Sequence, residues 1–302
     1  MKTYKLQLRL KSGTITPFHA DTVFGHLCWM VAYQQGDEGV RGFLKPFKVG
    51  NPPFLLSDGF PDDYLPKPLG AQFAVSDVSQ LKKYKNINFI TLDDFNGFRT
   101  AAKIAPKVIP SPVETRLTPH NSISRSTNST LPEGGLYSLE EHFSPIVSIY
   151  LKTISEQWKD KIIQLFTDLS MSGYGRKKSI GKGDFTVESC EEFNGFPEIA
   201  GADGFVALSH FCPAESDPTD GMYKIFNKYG KLGDRFTFCG NAFKRPLVMF
   251  RPGAIFRTGT RPHDHYGRLI DESIAPAKPE VIQYAYAFAI PIKYPVYGGQ
   301  IQ

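Results

Sequence analysis

A chain of 302 residues with 41% hydrophobic and 22% charged residues can bury a sizeable core, and its composition is neither disordered nor fibrous. No run of about 18 apolar residues occurs, which excludes a bilayer-spanning helix. The opening MKTYKLQLRLK alternates instead of forming the apolar block of a secretory leader. Cys28, Cys190, Cys212 and Cys239 are scattered with no CxxC pair, so neither a disulfide framework nor a zinc site is expected, and a cytoplasmic location is. The net charge of +5 is unevenly spread: residues 82–126 carry eight Lys/Arg against three acids, 173–184 four against one, and 223–268 ten against two. Basic segments on an acidic remainder are the footprint of a polyanion-binding face.

In chain order, Tyr4, Leu6, Leu8 and Leu10 alternate with Lys5, Gln7, Arg9 and Lys11, the pattern of a half-buried strand. A turn through Gly13 and Pro17 leads to a helix starting near Asp21 or Thr22, either of which can cap it. Val23, Phe24, Leu27, Met30 and Val31 form its apolar face, and Gly36 ends it. Residues 41–70 read as a strand with an irregular connection, and 71–142 as a long insertion built as an extended hairpin. A strand over Ile146–Leu151 follows. A helix capped by Ser155 comes next, with Trp158, Ile162, Leu165, Phe166 and Leu169 at helical spacing, and then a strand over Asp184–Cys190. The order β–α–β, insertion, β–α–β is the ferredoxin-like (RRM-like) plan of an α+β fold. After a linker at 191–204, candidate strands are Phe205–Cys212, Tyr223–Tyr229, Phe236–Phe238, Leu247–Phe250 and Val281–Ile292. A degenerate second copy of the same fold is the expectation there.

The segment GYGRKKSIGKG is the strongest local signal. Gly173, Gly175, Gly181 and Gly183 allow close backbone approach, and they interleave with Arg176, Lys177, Lys178, Ser179 and Lys182, a pattern suited to phosphate. It is not a Walker A loop: five residues separate Gly175 from Gly181, Gly follows Lys182, and the loop joins a helix to a strand. Tyr174 beside Arg176, Phe243 beside Lys244 and Arg245, Phe250 beside Arg251, and Phe256 beside Arg257 are pairs that could stack bases and neutralise phosphates. His19, Asp21 and His26 invite a catalytic reading, since metal-independent RNA cleavage needs a base for the 2′-hydroxyl. Helical geometry separates the two histidines, so a capping Asp21 with structural histidines is the better reading. His263, Asp264 and His265 resemble a metal patch without a third convergent ligand. No catalytic set and no metal site is expected.

The helix-opening PFHADTVFGHLCW, then LLSDGFPDDYLPKPL, the ISRSTNST segment with GGLY, and the loop GYGRKKSIGKG together resemble a known family. This is the fourth subunit of type III-A CRISPR (Csm) effector complexes, a RAMP protein of the Cas-five group. The likeness runs in patches over residues 1–190 and is loose beyond, through RPGAIFRTG. It implies two RRM-like domains, at 1–190 and 205–302, with a β-hairpin thumb in the insertion. It implies a non-catalytic subunit without a cofactor that grips the 5′ repeat-derived tag of the crRNA. Its partners would be the large polymerase-like subunit and a backbone RAMP subunit. By position, Gly181, Lys182 and their neighbours would face RNA, Arg125, Ser126 and Thr127 would lie near the thumb base, and His19 to Thr22 near the tag. Phosphate contacts would come from Arg176, Lys177, Lys178 and Lys182, with some of Lys244, Arg245, Arg251 and Arg257. Several RAMP folds are endoribonucleases, which leaves a metal-independent guide-processing nuclease as the alternative.

Overall fold

A computed structural model describes residues 1–74, 83–106, 111–131, 133–271 and 274–295. Parts of the expected insertion, 75–82, 107–110 and residue 132, lie outside the described residues. Strand β1 spans Lys2–Leu10 and buries Tyr4, Leu6, Leu8 and Leu10, as its alternation requires. Helix α1 spans Ala20–Lys48 and lays Val23, Phe24, Leu27, Met30 and Val31 into the core. Gly36 breaks it without ending it: its φ of 66° and ψ of −168° are accessible to glycine, and helix resumes to bury Phe43, Leu44 and Phe47. Neither Asp21 nor Thr22 caps this helix. Its N-cap is His19, whose side chain makes no capping bond.

Strand β2 (Phe54–Pro61) and β3 (Leu65–Pro66) follow, and then β4 (Phe89–Ile90) and α2 (Leu92–Arg99) within the insertion. Thr91 caps α2 by accepting from Asp94 N, a signal overlooked in a stretch of weak periodicity. The hairpin occupies only the later part: β5 (Glu114–Asn121) pairs antiparallel with β6 (Leu136–Phe143). Strand β7 (Ile146–Thr153), α3 (Glu156–Ser172, capped by Ser155) and β8 (Phe185–Glu192) complete this half. The sheet order is β2-β7-β1-β8, all antiparallel, which is the expected β–α–β–β–α–β connectivity with the hairpin inserted between its second and third strands.

The remaining elements are strands: β9 (Gly204–Ala207), β10 (Gly221–Met222), β11 (Ile225–Lys228), β12 (Leu247–Phe250), β13 (Ile255–Arg257), β14 (His265–Ile270) and β15 (Gln283–Ile292). Five form a sheet in the order β10-β13-β9-β15-β14. Phe236–Phe238, expected as strand, belongs instead to a 3₁₀ turn. Among the described residues this half has no α-helix, so a second pair of covering helices is not what buries its sheet. Helix α1 and β2 approach β15 instead, and Tyr284, Tyr286, Phe288, Ile290 and Ile292 join the core of the first half. Arg99 crosses the junction from α2. Its buried guanidinium donates to Asn96 Oδ1 (2.8 Å), Pro197 O (2.8 Å) and Pro291 O (3.1 Å).

Candidate nucleic-acid interface

The two halves meet around one carboxylate. The pairing of β2 with β7 shifts between Leu56 and Gly59, which takes Ser57 and Asp58 out of the regular ladder. Ser57 Oγ accepts from Tyr150 N (2.8 Å), and Asp58 N donates to Leu208 O (2.9 Å). Asp58 Oδ1 then accepts from Ala20 N (2.9 Å), capping α1 from another element, and from His210 N (3.2 Å). Its Oδ2 lies 2.6 Å from His210 Nδ1. Burial pushes the Asp58 carboxyl upward, but His210 and the N–H donors outweigh it and hold the group below the ordinary carboxylate value.

His19 lies against His210, with ring centroids 4.1 Å apart, and both rings touch Phe226. Burial lowers the His19 pKa to about 4, so the imidazole is neutral at pH 7. Beside these rings opens a cavity of about 620 Å³, lined also by Thr16, Thr22, Lys228 and Arg251. The Arg251 guanidinium stands 5.4 Å over the Phe226 ring. Lys228 Nζ is held by the Asp21 carboxylate (3.0 Å) and Thr22 Oγ1 (2.9 Å).

The glycine-rich loop borders this cavity through Thr16. Arg176 N donates to Thr16 Oγ1 (3.0 Å), and a Cβ on Gly175 would stand 2.6 Å from Thr16 Cβ. At the loop's far end a Cβ on Gly183, whose φ is +68°, would meet Tyr174 O at 2.0 Å. Arg176, Lys178, Ser179 and Gly181 are exposed, whereas Lys177 and Lys182 are half-buried and turned to the hairpin. Lys177 Nζ reaches Tyr137 OH (3.2 Å), and Lys182 Nζ reaches Glu141 Oε1 (2.7 Å). A continuous surface therefore runs from the cavity, along the loop, to the base of the hairpin.

The structure places the sequence-selected residues unequally. His19, Thr22 and Arg251 line the cavity. Asp21 is buried beneath it, taken by Lys228 and by Gln283 Nε2 (2.5 Å). Tyr174 is no stacking platform: it is buried, stacked on Phe18 at 4.1 Å, and its hydroxyl donates to Pro17 O. Phe256 is likewise core. Lys244 points inward, donating to Ile282 O and Gln283 Oε1, and burial lowers its pKa to about 8. Arg257 lies outside the cavity, over the Tyr294 ring and 3.7 Å from Asp220. Arg245 N donates to Ile274 O. Arg125, Ser126 and Thr127 sit in the turn between β5 and β6, at the hairpin tip instead of its base. His26 packs against Tyr174 and is not part of the cluster of His19 with Asp58 and His210. Asp58, His210, Phe226 and Lys228 were missed. An aspartate within the otherwise apolar run FLLSDGF was the one available hint.

The RAMP superfamily profile matches residues 5–186, so the chain belongs to the RAMP superfamily. The fold is shared, end to end, with chains of solved CRISPR assemblies. One, from a Csm1-Csm4 cassette in complex with cA4, superposes with a TM-score of 0.66 at 18% identity, over 99% of this chain and 100% of that one. Another, from a Csm3-Csm4 subcomplex of the type III-A CRISPR-Cas interference complex, gives 0.65 at 15% identity, over 97% and 99%. No curated protein matches at a significant level. Among the described residues no helix is long and apolar enough to cross a membrane.

Proposed function

We propose that this chain is a cytoplasmic, non-catalytic guide-RNA-binding subunit of a type III-A CRISPR effector complex. In this reading it joins an RRM-like unit at 1–190 to a strand-built unit at 205–302, grips the 5′ repeat-derived tag of the crRNA, and joins a large polymerase-like subunit to a backbone RAMP subunit. The observation that carries it is the unbroken path from the cavity through the glycine-rich loop to the hairpin base. Arg176, Lys177, Lys178, Lys228 and Arg251 supply its positive charge. Whole-length likeness to chains of the Csm1-Csm4 and Csm3-Csm4 structures supports the choice of partners.

The test is isolation of the tagged chain from its host with sequencing of the bound RNA. Short RNAs sharing one repeat-derived 5′ end, together with a large polymerase-like partner, are the expected recovery. With about five phosphates neutralised, log K against log salt should fall with a slope of about −3.5. Unprocessed repeat precursors, or no RNA, would overturn the reading. The nuclease alternative draws on the His210–Asp58 pair beside His19, a carboxylate-oriented imidazole of the kind a general base requires. It requires cleavage of repeat RNA by the purified chain in EDTA that His210→Ala abolishes.

A further inference from the structure

We propose that His19, Asp58 and His210 form a binding site for a divalent transition-metal ion, seated where a hydrogen now joins His210 Nδ1 to Asp58 Oδ2. Each residue offers one ligand atom, and these atoms lie within 4.8 Å of one another. Zinc–nitrogen and zinc–carboxylate bonds run roughly 2.0–2.2 Å, so to hold one ion the His210 and Asp58 atoms would move apart from 2.6 Å and His19 would close on them. The ligands come from the N-cap of α1, the irregularity in β2 and the segment after β9, which is why no spacing in the sequence announced them. His263, Asp264 and His265, the more suggestive string, do not converge in this way among the described residues.

The site is built ahead of its ion. Asp58 Oδ1 is fixed by two backbone N–H groups, which aims Oδ2 at the imidazoles. Second interactions of this kind orient metal ligands and raise affinity. The exchange balances through water: the ion takes the place of the Nδ1 hydrogen, which leaves to solvent, and Nδ1 and Oδ2 take the ion. The ring's remaining hydrogen sits on Nε2, already there in the imidazolium form and taken up from water in the neutral one. Two imidazoles and one carboxylate prefer Zn²⁺, Co²⁺ or Ni²⁺ to Mg²⁺ or Ca²⁺. The open coordination positions face the cavity, where Lys228 and Arg251 favour an anionic co-ligand such as a phosphate oxygen.

The experiment uses the full chain, stripped of RNA and metal, so its outcome is independent of the RNA reading. Zn²⁺ is titrated in competition with a chromophoric chelator, and Co²⁺ replaces it for spectroscopy. One ion per chain is expected, with affinity reduced at least about tenfold in His19→Gln and His210→Gln and unchanged in His26→Gln. Should the variants misfold, Co²⁺ bound to the wild-type chain must still shift the NMR ring signals of His19 and His210. Binding well below one ion per chain, full binding in both ligand variants, or Co²⁺-shifted signals from other histidines would overturn the site.

Discussion

The glycine-rich loop and the cavity beside it are built on opposite principles. The loop is local: one stretch supplies the glycines, the cations and the turn, and its exposed charges are held by little besides backbone. The cavity is assembled from the start of α1, β11 and the segments after β9 and β12, with Asp58 of β2 behind it, and His210, Thr22 and Lys228 in its wall are each held by a polar partner. Removing a loop cation should therefore cost binding and little stability. Removing a cavity group should cost stability first.

The sharpest way to break that contrast is Asp58. Asp58→Ala strips the cap from α1 and leaves Ala20 N, His210 N and the His210 ring without their acceptor. A loss of about 3–5 kcal/mol in urea unfolding is expected, as for other buried pairs deprived of one partner. Asp58→Asn keeps an acceptor oxygen and should lose less. A neutral Asp58→Ala would mean that the junction between the halves is not held here.

The same contrast explains what the sequence could show. Alternation in β1, the Ser155 cap and the glycines around Arg176 are all encoded within a few residues, so the first half's connectivity and the loop were readable. The Asp58–His210 pair spans 152 positions and depends on an irregularity in β2 that no period announces. Burial misled the reading of aromatics and cations alike. Tyr174 and Lys244 carry the residue types of an RNA surface, yet one fills the core under the loop and the other closes hydrogen bonds onto β15 and the residue preceding it. The second half has no α-helix among its described residues because α1 serves both sheets, a tertiary economy invisible to local pattern.

A second, smaller effect separates loop surface from loop foundation by pH. His26 lies under the loop against Tyr174, and burial, reinforced by Lys178, lowers its pKa to about 4. The unfolded chain titrates it near 6.5, so between those values the unfolded state binds more protons and stability rises with pH. Its contribution is complete above about 6.5 and shrinks by on the order of 3 kcal/mol as pH falls to about 4. Thermal melts of His26→Gln across this window should show a flatter pH dependence than wild type. An unchanged slope would place the imidazole in water.

The smallest effect divides the loop itself. Lys178 is exposed, whereas Lys182 is tied to Glu141 on β6 at 2.7 Å. If only untied cations meet phosphate, Lys178→Ala lowers the magnitude of the salt slope by about 0.7, the value for one contact on a single strand. Lys182→Ala should leave the slope nearly unchanged. Its signature is mechanical: without the ammonium, Glu141 loses its tie to the loop, and amides of β6 should exchange faster while those of β1 do not. Equal salt effects from the two lysines would show that RNA competes Lys182 away from Glu141. The hairpin would then be released when the guide is bound, and the loop and the hairpin would act as one gripping element instead of two.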